Sequence, residues 1–432
     1  MLTVILNIYA CGPNLGSEKG QGWLWCTELA KHCDMHVITE GEFKKQINDE
    51  LLKLSDLQRE HLHFYYNPIG GNDENECAKI RKMCWNQGDW RFYYYYRKWQ
   101  LKTLEIAQQI IKDQKKKGKD IDIIHQLNML GFREPGFLFR IKGKPFVWGP
   151  IGGLQLFPDA YMTGAPLKMK LFLKLKNFLN NMIFYYGRRV DNAVRCANML
   201  VSTTPVSYQR LKKVKGVEST WIPEMSCKVG NPLDNNLNRF YDEKLRFIWI
   251  GKFDYRKRLD IAIRAVAEAK NKNIILQVFG SGNESQVKSM HDLAERLGVS
   301  EQIEWMGNRP NQEVHEALRN GHVFFFTSVS DDTSTVMLEA VSEFIPVLNF
   351  RCCGMQAINN ETIGVQIDLT NPEQSVKDFA EKINYLEKNR NVLKDFSANC
   401  AKRQNELSWN SNIAKMIDVY KQAIINNNNY VR

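Results

Sequence analysis

A chain of 432 residues is too long for one ordinary core, so two or three domains are expected. With 44% hydrophobic and 25% charged residues it is neither disordered nor fibrous, and no uninterrupted run of about 20 apolar residues offers a membrane-spanning helix. The formal net charge of +11 suits a partner carrying negative charge: phosphates, nucleic acid or an anionic bilayer.

The opening MLTVILNIYACGPNLG lacks a basic leading segment and reads as a first strand over residues 2–9, not as a signal peptide. The loop ACGPNLGSEKGQG, a helical pattern over 23–33 and a second strand MHVITE follow. This is a β-loop-α-β unit with a glycine-rich turn, the opening of a doubly wound sheet. Gly16, Gly20 and Gly22 keep the turn small, so the loop can approach a diphosphate or an acceptor across a cleft, with Glu18 orienting the loop or the acceptor. The run WRFYYYYRKW, residues 90–99, carries aromatics and arginines of the kind found at lipid headgroup level. Further strands are expected at 122–127, ending near His125, at 145–150 and at 198–204.

Between the last two of these lies PLKMKLFLKLKNFLNNMIFYYGRR. At helical spacing Leu171, Phe172, Leu175, Phe178, Leu179 and Met182 share one face, flanked by Lys168, Lys170, Lys174 and Lys176. That is the pattern of an interfacial helix on anionic lipid. A helix packed on its own domain, with lysine stems covering apolar surface, is the alternative.

A polar stretch around Pro223 and Pro232 reads as a linker, and the alternation then restarts. Strands are expected at 246–251, 274–280, 302–307, 322–328 and 345–350, with helices at 258–270, 284–297, 312–320 and from about Thr335. Short loops between them predict a second parallel sheet with helices on both faces. Near the C-terminus Trp409, Ile413, Met416, Ile417 and Tyr420 share one face of an amphipathic helix. Two such sheets leave a cleft between their strand C-termini, where open α/β sheets bind ligands. Ten cysteines form no disulfide pattern, no CxxC and no Cys/His cluster at zinc spacing, so reduced thiols, a cytosolic compartment and no metal are expected.

Three stretches of the second half carry chemistry. In SDDTSTVMLEAVSEFIP, Asp331 and Glu339 stand eight residues apart around small hydroxyl residues. Ser334 or Thr335 would cap the helix, whose first N–H groups and dipole favour an anion. Glu339, one turn in, would accept both hydroxyls of a ribose, and Asp331 would lie nearer the reaction. A capped helix with exposed acids accounts for the same residues. In GKFDYRKRLD, Lys252 and Lys257 are the candidates for a pyrophosphate clamp, and Arg256 and Arg258 add to the field. Cations at a helix N-terminus are unfavourable unless an anion joins them. In VFGSGNES, Gly280 and Gly282 let backbone approach a base or phosphate.

In chain order GKFDYRKRLD, VFGSGNES, the strand HVFFFTS and the acid stretch DDTSTVMLE resemble the family 4 retaining glycosyltransferases; NLGSEKGQGW and FVWGPIGG look like a polysaccharide-assembly subgroup. The resemblance implies an α/β fold of GT-B type: two Rossmann-like doubly wound domains facing across a cleft, with a C-terminal helix crossing back to the first. Residues 1–222, joined by 410–432, would bind the acceptor, and residues 223–409 the nucleotide-sugar donor. It makes Lys257 the donor-phosphate lysine, Glu339 the ribose glutamate, Gly16 the first-loop glycine, and Thr335 and Val336 the amides facing the diphosphate. A histidine in the region of His125 would face the donor sugar or the acceptor. Three positions depart from the family pattern: Lys252 stands for Arg, Arg258 for Gly and Asp331 for Glu.

The expected activity is retaining transfer of a sugar from a UDP- or GDP-sugar to a lipid-linked or oligosaccharide acceptor at the inner membrane surface. No metal cofactor and no nucleic-acid partner are expected. Asp331 and His125 are the candidate catalytic residues. A nucleotide-sugar epimerase on the same fold, and a non-catalytic binder of membrane or nucleic acid, are the alternatives.

Overall fold

The computed structural model describes residues 1–70 and 90–430. Two parallel sheets organise them. The first has seven strands: β1 (Leu2–Ile8), β2 (Cys33–Glu40), β3 (Leu62–Asn67), β4 (Ile123–Asn128), β5 (Phe146–Ile151), β6 (Met199–Ser202) and β7 (Thr220–Trp221), in the order β3-β2-β1-β4-β5-β6-β7. The second has six: β8 (Leu245–Ile250), β9 (Ile274–Phe279), β10 (Ile303–Gly307), β11 (Val323–Phe326), β12 (Val347–Phe350) and β13 (Gly364–Ile367), in the order β10-β9-β8-β11-β12-β13. Both orders are doubly wound and reverse beside the first strand of the sheet, between β1 and β4 and between β8 and β11. A parallel sheet covered on both faces needs strands that are apolar throughout. The run VFFF of β11 meets that demand, with all four residues fully buried.

Sequence periodicity misses β3, β7 and β13. β3 is an edge strand with four half-buried residues in six, β7 has two residues, and β13 has four and closes the other edge. Such strands lack the apolar run that marks a central one.

The helix Trp409–Tyr430 returns to the first sheet. Its Ile413, Met416, Val419, Tyr420 and Ala423 share a core with Val4, Leu6 and Trp25, and Trp409 meets Trp25 edge to face at 5.2 Å. Phe157, Tyr161, Met162 and Leu173 reach the other way and are buried in the core around the second sheet. Among the described residues the eight cysteines are free thiols, and no helix is long and apolar enough to cross a membrane.

Candidate functional site between the two sheets

Loops at the C-terminal ends of β8, β9 and β11 form one wall. The loops after β8 and β9 are tied edge to edge: Gly251 N donates to Phe279 O at 3.0 Å and Phe253 N to Ser281 O at 3.0 Å. Gly280 makes that approach possible. Its φ is +118°, and a Cβ there would sit 2.0 Å from the Gly251 carbonyl oxygen. Gly282 adds a second close packing against Phe253 and Gln286.

Beyond this turn two cations close on one acid. Lys257 Nζ donates to Asp331 Oδ2 at 2.6 Å, and an Arg256 guanidinium nitrogen lies 3.0 Å from Asp331 Oδ1. The Lys257 side chain is only 9% exposed and lies over the Phe326 ring at 4.5 Å. Burial lowers its pKa, and the Asp331 charge opposes that shift. Lys252 is exposed and forms no ion pair among the described residues.

Arg258 stands where the resemblance expects glycine, and its backbone has a left-handed φ of 50°. Its buried guanidinium holds Asp260 through Nε at 2.8 Å and a terminal nitrogen at 2.7 Å, and lies over Tyr161 and Tyr255. It also donates to the Tyr161 carbonyl at 3.3 Å, as the Tyr255 hydroxyl does at 2.7 Å. A side chain at the strained position thus ties the 157–163 segment to the second sheet.

The acid stretch runs into the helix Thr335–Ser342. Ser334 occupies the N-cap position but forms no side-chain capping bond, contrary to the expected cap. The hydroxyl that is engaged belongs to Thr333. Its N–H and Oγ1 donate to the two carboxyl oxygens of Glu224, the first at 2.8 Å. Glu339 is half-buried, its carboxyl forms no hydrogen bond or ion pair among the described residues, and burial raises its pKa.

Asp332 crosses to the other wall, where both its carboxyl oxygens accept from Gly153 N, at 3.2 and 3.1 Å. Gly152 N donates to Leu130 O at 2.8 Å, and Leu130 N donates to Glu18 at 2.9 Å. A hydrogen-bonded path therefore joins the first glycine-rich loop to the acid stretch. Three carboxyls gather here, and burial is the main cause that pushes each up: Glu18, Asp332 and, to about 8, Glu224. The Asp332 charge adds to the rise at the other two.

Glu224 was not legible in the sequence. It sits in the stretch that reads as a linker, and only its neighbour Pro223 punctuates it.

On the first-sheet side Gly16 leads into the helix Ser17–Leu29, and a Cβ there would meet nothing within 4 Å. Gly22 is a packing glycine, because a Cβ would lie 2.1 Å from Ala10 O. The structure does not bring His125 to the wall of the cleft. It is fully buried, with Nδ1 2.8 Å from the Tyr420 hydroxyl and Nε2 2.7 Å from Gly149 O, and burial lowers its pKa to about 4. With both ring nitrogens engaged and no exposed face, it is placed as a neutral imidazole that ties the C-terminal helix to β4 and β5.

The helix Leu167–Tyr186 turns its apolar face outward. Leu171, Phe172, Leu175, Phe178, Leu179 and Met182 are 42% to 59% exposed, while Leu173, Asn180 and Phe184 face inward. Lys168, Lys174 and Lys176 are exposed and Lys170 half-buried. Lys176 also lies within electrostatic reach of Asp332 and Arg256. The aromatic run is divided: Phe92, Tyr96 and Trp99 cluster with Tyr9 in the core, whereas Tyr93 and Tyr94 are exposed.

Comparisons with known proteins fit this geometry. Residues 233–403 match the family model of the glycosyl transferases group 1. An uncharacterized glycosyltransferase of Methanocaldococcus jannaschii is 23% identical over 211 residues, 45% of this chain and 52% of that protein. The chain spans about half the length of the curated relatives it matches, 40% to 52%. Among solved structures, HepE of Anabaena in complex with UDP aligns with a TM-score of 0.59 at 12% identity, over 98% of this chain and 100% of that one. A glycosyltransferase from Rickettsia africae aligns with a TM-score of 0.60 at 13% identity, over 98% of each chain. The loops after β8, β9 and β11 all lie inside the region 233–403 that matches the glycosyl transferases group 1 model, and the chain has the two-domain α/β fold of GT-B type seen in these solved structures.

Proposed function

We propose that the protein transfers a sugar from a nucleoside-diphosphate sugar, with retention at the anomeric carbon, to a lipid-linked or growing polysaccharide acceptor at the membrane surface. The observation that carries this reading is the buried Lys257 with Arg256 closing on Asp331, eight residues before the unpaired carboxyl of Glu339, inside the group 1 domain. Such cations stabilise charge that develops on a departing diphosphate, in a site of low dielectric. Lys257, with Lys252 and Arg256 behind it, takes the diphosphate, joined by the amides of Thr335 and Val336 next to Ser334. Glu339 takes the ribose hydroxyls, and Gly280 and Gly282 let the loop approach the nucleotide. Asp331 faces the sugar. The first loop, with Gly16, Glu18 and Gly22, borders the donor and the acceptor.

UDP on the HepE fold supports a uridine donor. The test is thermal denaturation with nucleotides. UDP at 100 times its Kd should add about 2.7 kcal/mol of stability. If neither UDP nor GDP raises the Tm, the transferase reading fails and a non-catalytic binder takes its place.

The outward apolar face of the helix Leu167–Tyr186, flanked by lysines, supports docking on anionic lipid. Wild-type protein should cosediment with vesicles containing phosphatidylserine at low salt. Replacing Leu171, Phe172, Leu175 and Phe178 by Ser should abolish cosedimentation without lowering the Tm, since all four are already exposed. Wild type that ignores such vesicles would refute the docking.

A further inference from the structure

At the far edge of the first sheet, three side chains with no part in the site above gather on one face, and a fourth reaches them from the turn before β3. β2 and β3 pair in parallel with His36 opposite His63. Side chains alternate along strands, so Asp34 and His36 share one face of β2, with His63 beside His36 across the pair, while His61 stands in the turn just before β3. One ligand atom from each of Asp34, His36 and His63 lies within 4.8 Å of the other two. His63 Nε2 is 2.9 Å from Asp34 Oδ1, and His61 Nδ1 is 3.7 Å from that oxygen.

Burial of His36 supplies a second, independent observation. Its ring is 2% exposed. Nδ1 is 2.9 Å from the Tyr65 hydroxyl, while the buried Nε2 has no hydrogen-bond partner. A buried polar atom without a partner requires a physical account. An imidazole held through one nitrogen by a hydrogen bond, with the other left bare, is arranged as a metal-bound histidine is.

We propose that Asp34, His36 and His63, with His61 at hand as a fourth ligand, bind one transition-metal dication of the zinc class. Two or three imidazoles with one carboxylate select zinc, cobalt or nickel over magnesium and calcium, which prefer oxygen. Metal–ligand bonds of about 2.0 Å in a tetrahedron set ligand atoms about 3.3 Å apart. Asp34 and His63 need only part by a few tenths of an ångström, and the partly exposed His63 ring can give that much. Lys117 and Lys119 lie within electrostatic reach of His36 and weaken the hold on a dication, which the Asp34 charge offsets. The four residues lie at the N-terminal ends of β2 and β3, whereas the cleft loops leave the C-terminal ends. The ion therefore takes no part in sugar transfer. It clamps the edge strand β3 to β2, adding to their backbone ladder and to the His63–Asp34 and His36–Tyr65 contacts.

These ligands show no zinc-type spacing in the sequence, because they stand in DMH and HLH on neighbouring segments rather than clustering along the chain.

The test is titration of the full chain with Zn2+ against a chromophoric chelator, with the visible spectrum of the Co2+ form as a second readout. One equivalent should bind, Co2+ should give the intense d–d bands of a four-coordinate site, and Zn2+ but not Mg2+ should raise the Tm. Asp34→Asn and His63→Gln should each weaken binding by about tenfold or more. Their metal-free Tm should stay close to wild type, because both replacements keep a hydrogen-bonding group. Cys196→Ser, which removes the exposed thiol, should change nothing. The proposal is overturned if wild type binds no Zn2+, or if Asp34→Asn and His63→Gln both bind it like wild type.

Discussion

Lys257→Ala is expected to lower turnover of the nucleotide-sugar donor by about 10²–10³-fold, the usual loss when one preorganised stabilising group is removed. The lysine is buried, in contact with Asp331, and seated over Phe326, so its charge is fixed before any ligand arrives. A donor diphosphate would compete with Asp331 for that charge and release the acid toward the sugar. Asp331 retains Arg256, 3.0 Å away in wild type, as a partner when Lys257 is removed. The stability loss should therefore fall short of the roughly 3–5 kcal/mol that follows when a buried charge loses its only partner. A circular dichroism melt separates the two effects. Lys257→Arg should restore charge without full turnover, because the bulkier forked guanidinium cannot put its charge where the compact ammonium sits in a slot only 9% exposed. A folded Lys257→Ala enzyme with the wild-type rate would remove the diphosphate role from this residue.

The same neighbourhood explains what was legible in the sequence and what was not. Central strands such as VFFF and helix starts such as Thr335 follow from apolar runs and spacing, and these position Lys257, Asp331 and Glu339. Local pattern cannot say which polar residues meet across the two sheets. In the sequence His125 looks like a site residue near the end of an expected strand, yet it lies within β4 and Tyr420, 295 positions away, covers it. Glu224 looks like linker and is buried against Thr333, 109 positions away. The apolar face of the helix Leu167–Tyr186 is equally visible in sequence whether it turns in or out, and only the packing of Leu173 and Phe184 decides. Arg258 is the instructive departure. A left-handed position made for glycine is held by a side chain that earns its place through Asp260 and Tyr161.

Glu224 should make the joint between the two sheets pH-sensitive. Its carboxyl titrates near 4.5 in an unfolded chain and at about 8 in the folded one, raised first by burial and then by the Asp332 charge. Between those values the folded state holds a proton that the unfolded state has lost. The stability from this group is therefore fully present below the unfolded value and is lost as pH rises through the folded one. The slope approaches 1.4 kcal/mol per pH unit at most. Glu18 and Asp332 are raised as well and tilt the profile the same way. Wild-type Tm should thus fall as pH rises from about 5 to 8 and level off above that. Glu224→Gln keeps an acceptor for Thr333 N and an amide for Thr333 Oγ1, but has no proton to lose. Its profile should be flatter by one proton's worth, and its Tm at pH 8.5 should exceed that of wild type. The main chain of Glu224 also accepts from Trp25 Nε1 at 2.8 Å, so the residue touches a first-sheet helix through its backbone and the acid stretch through its side chain. Ionising it sets a second negative charge against Asp332 at the point where the two walls meet. Donor KM in wild type should consequently rise above pH 8 more than in Glu224→Gln. Identical pH profiles of Tm in the two proteins would show that this carboxyl is already ionised at neutral pH.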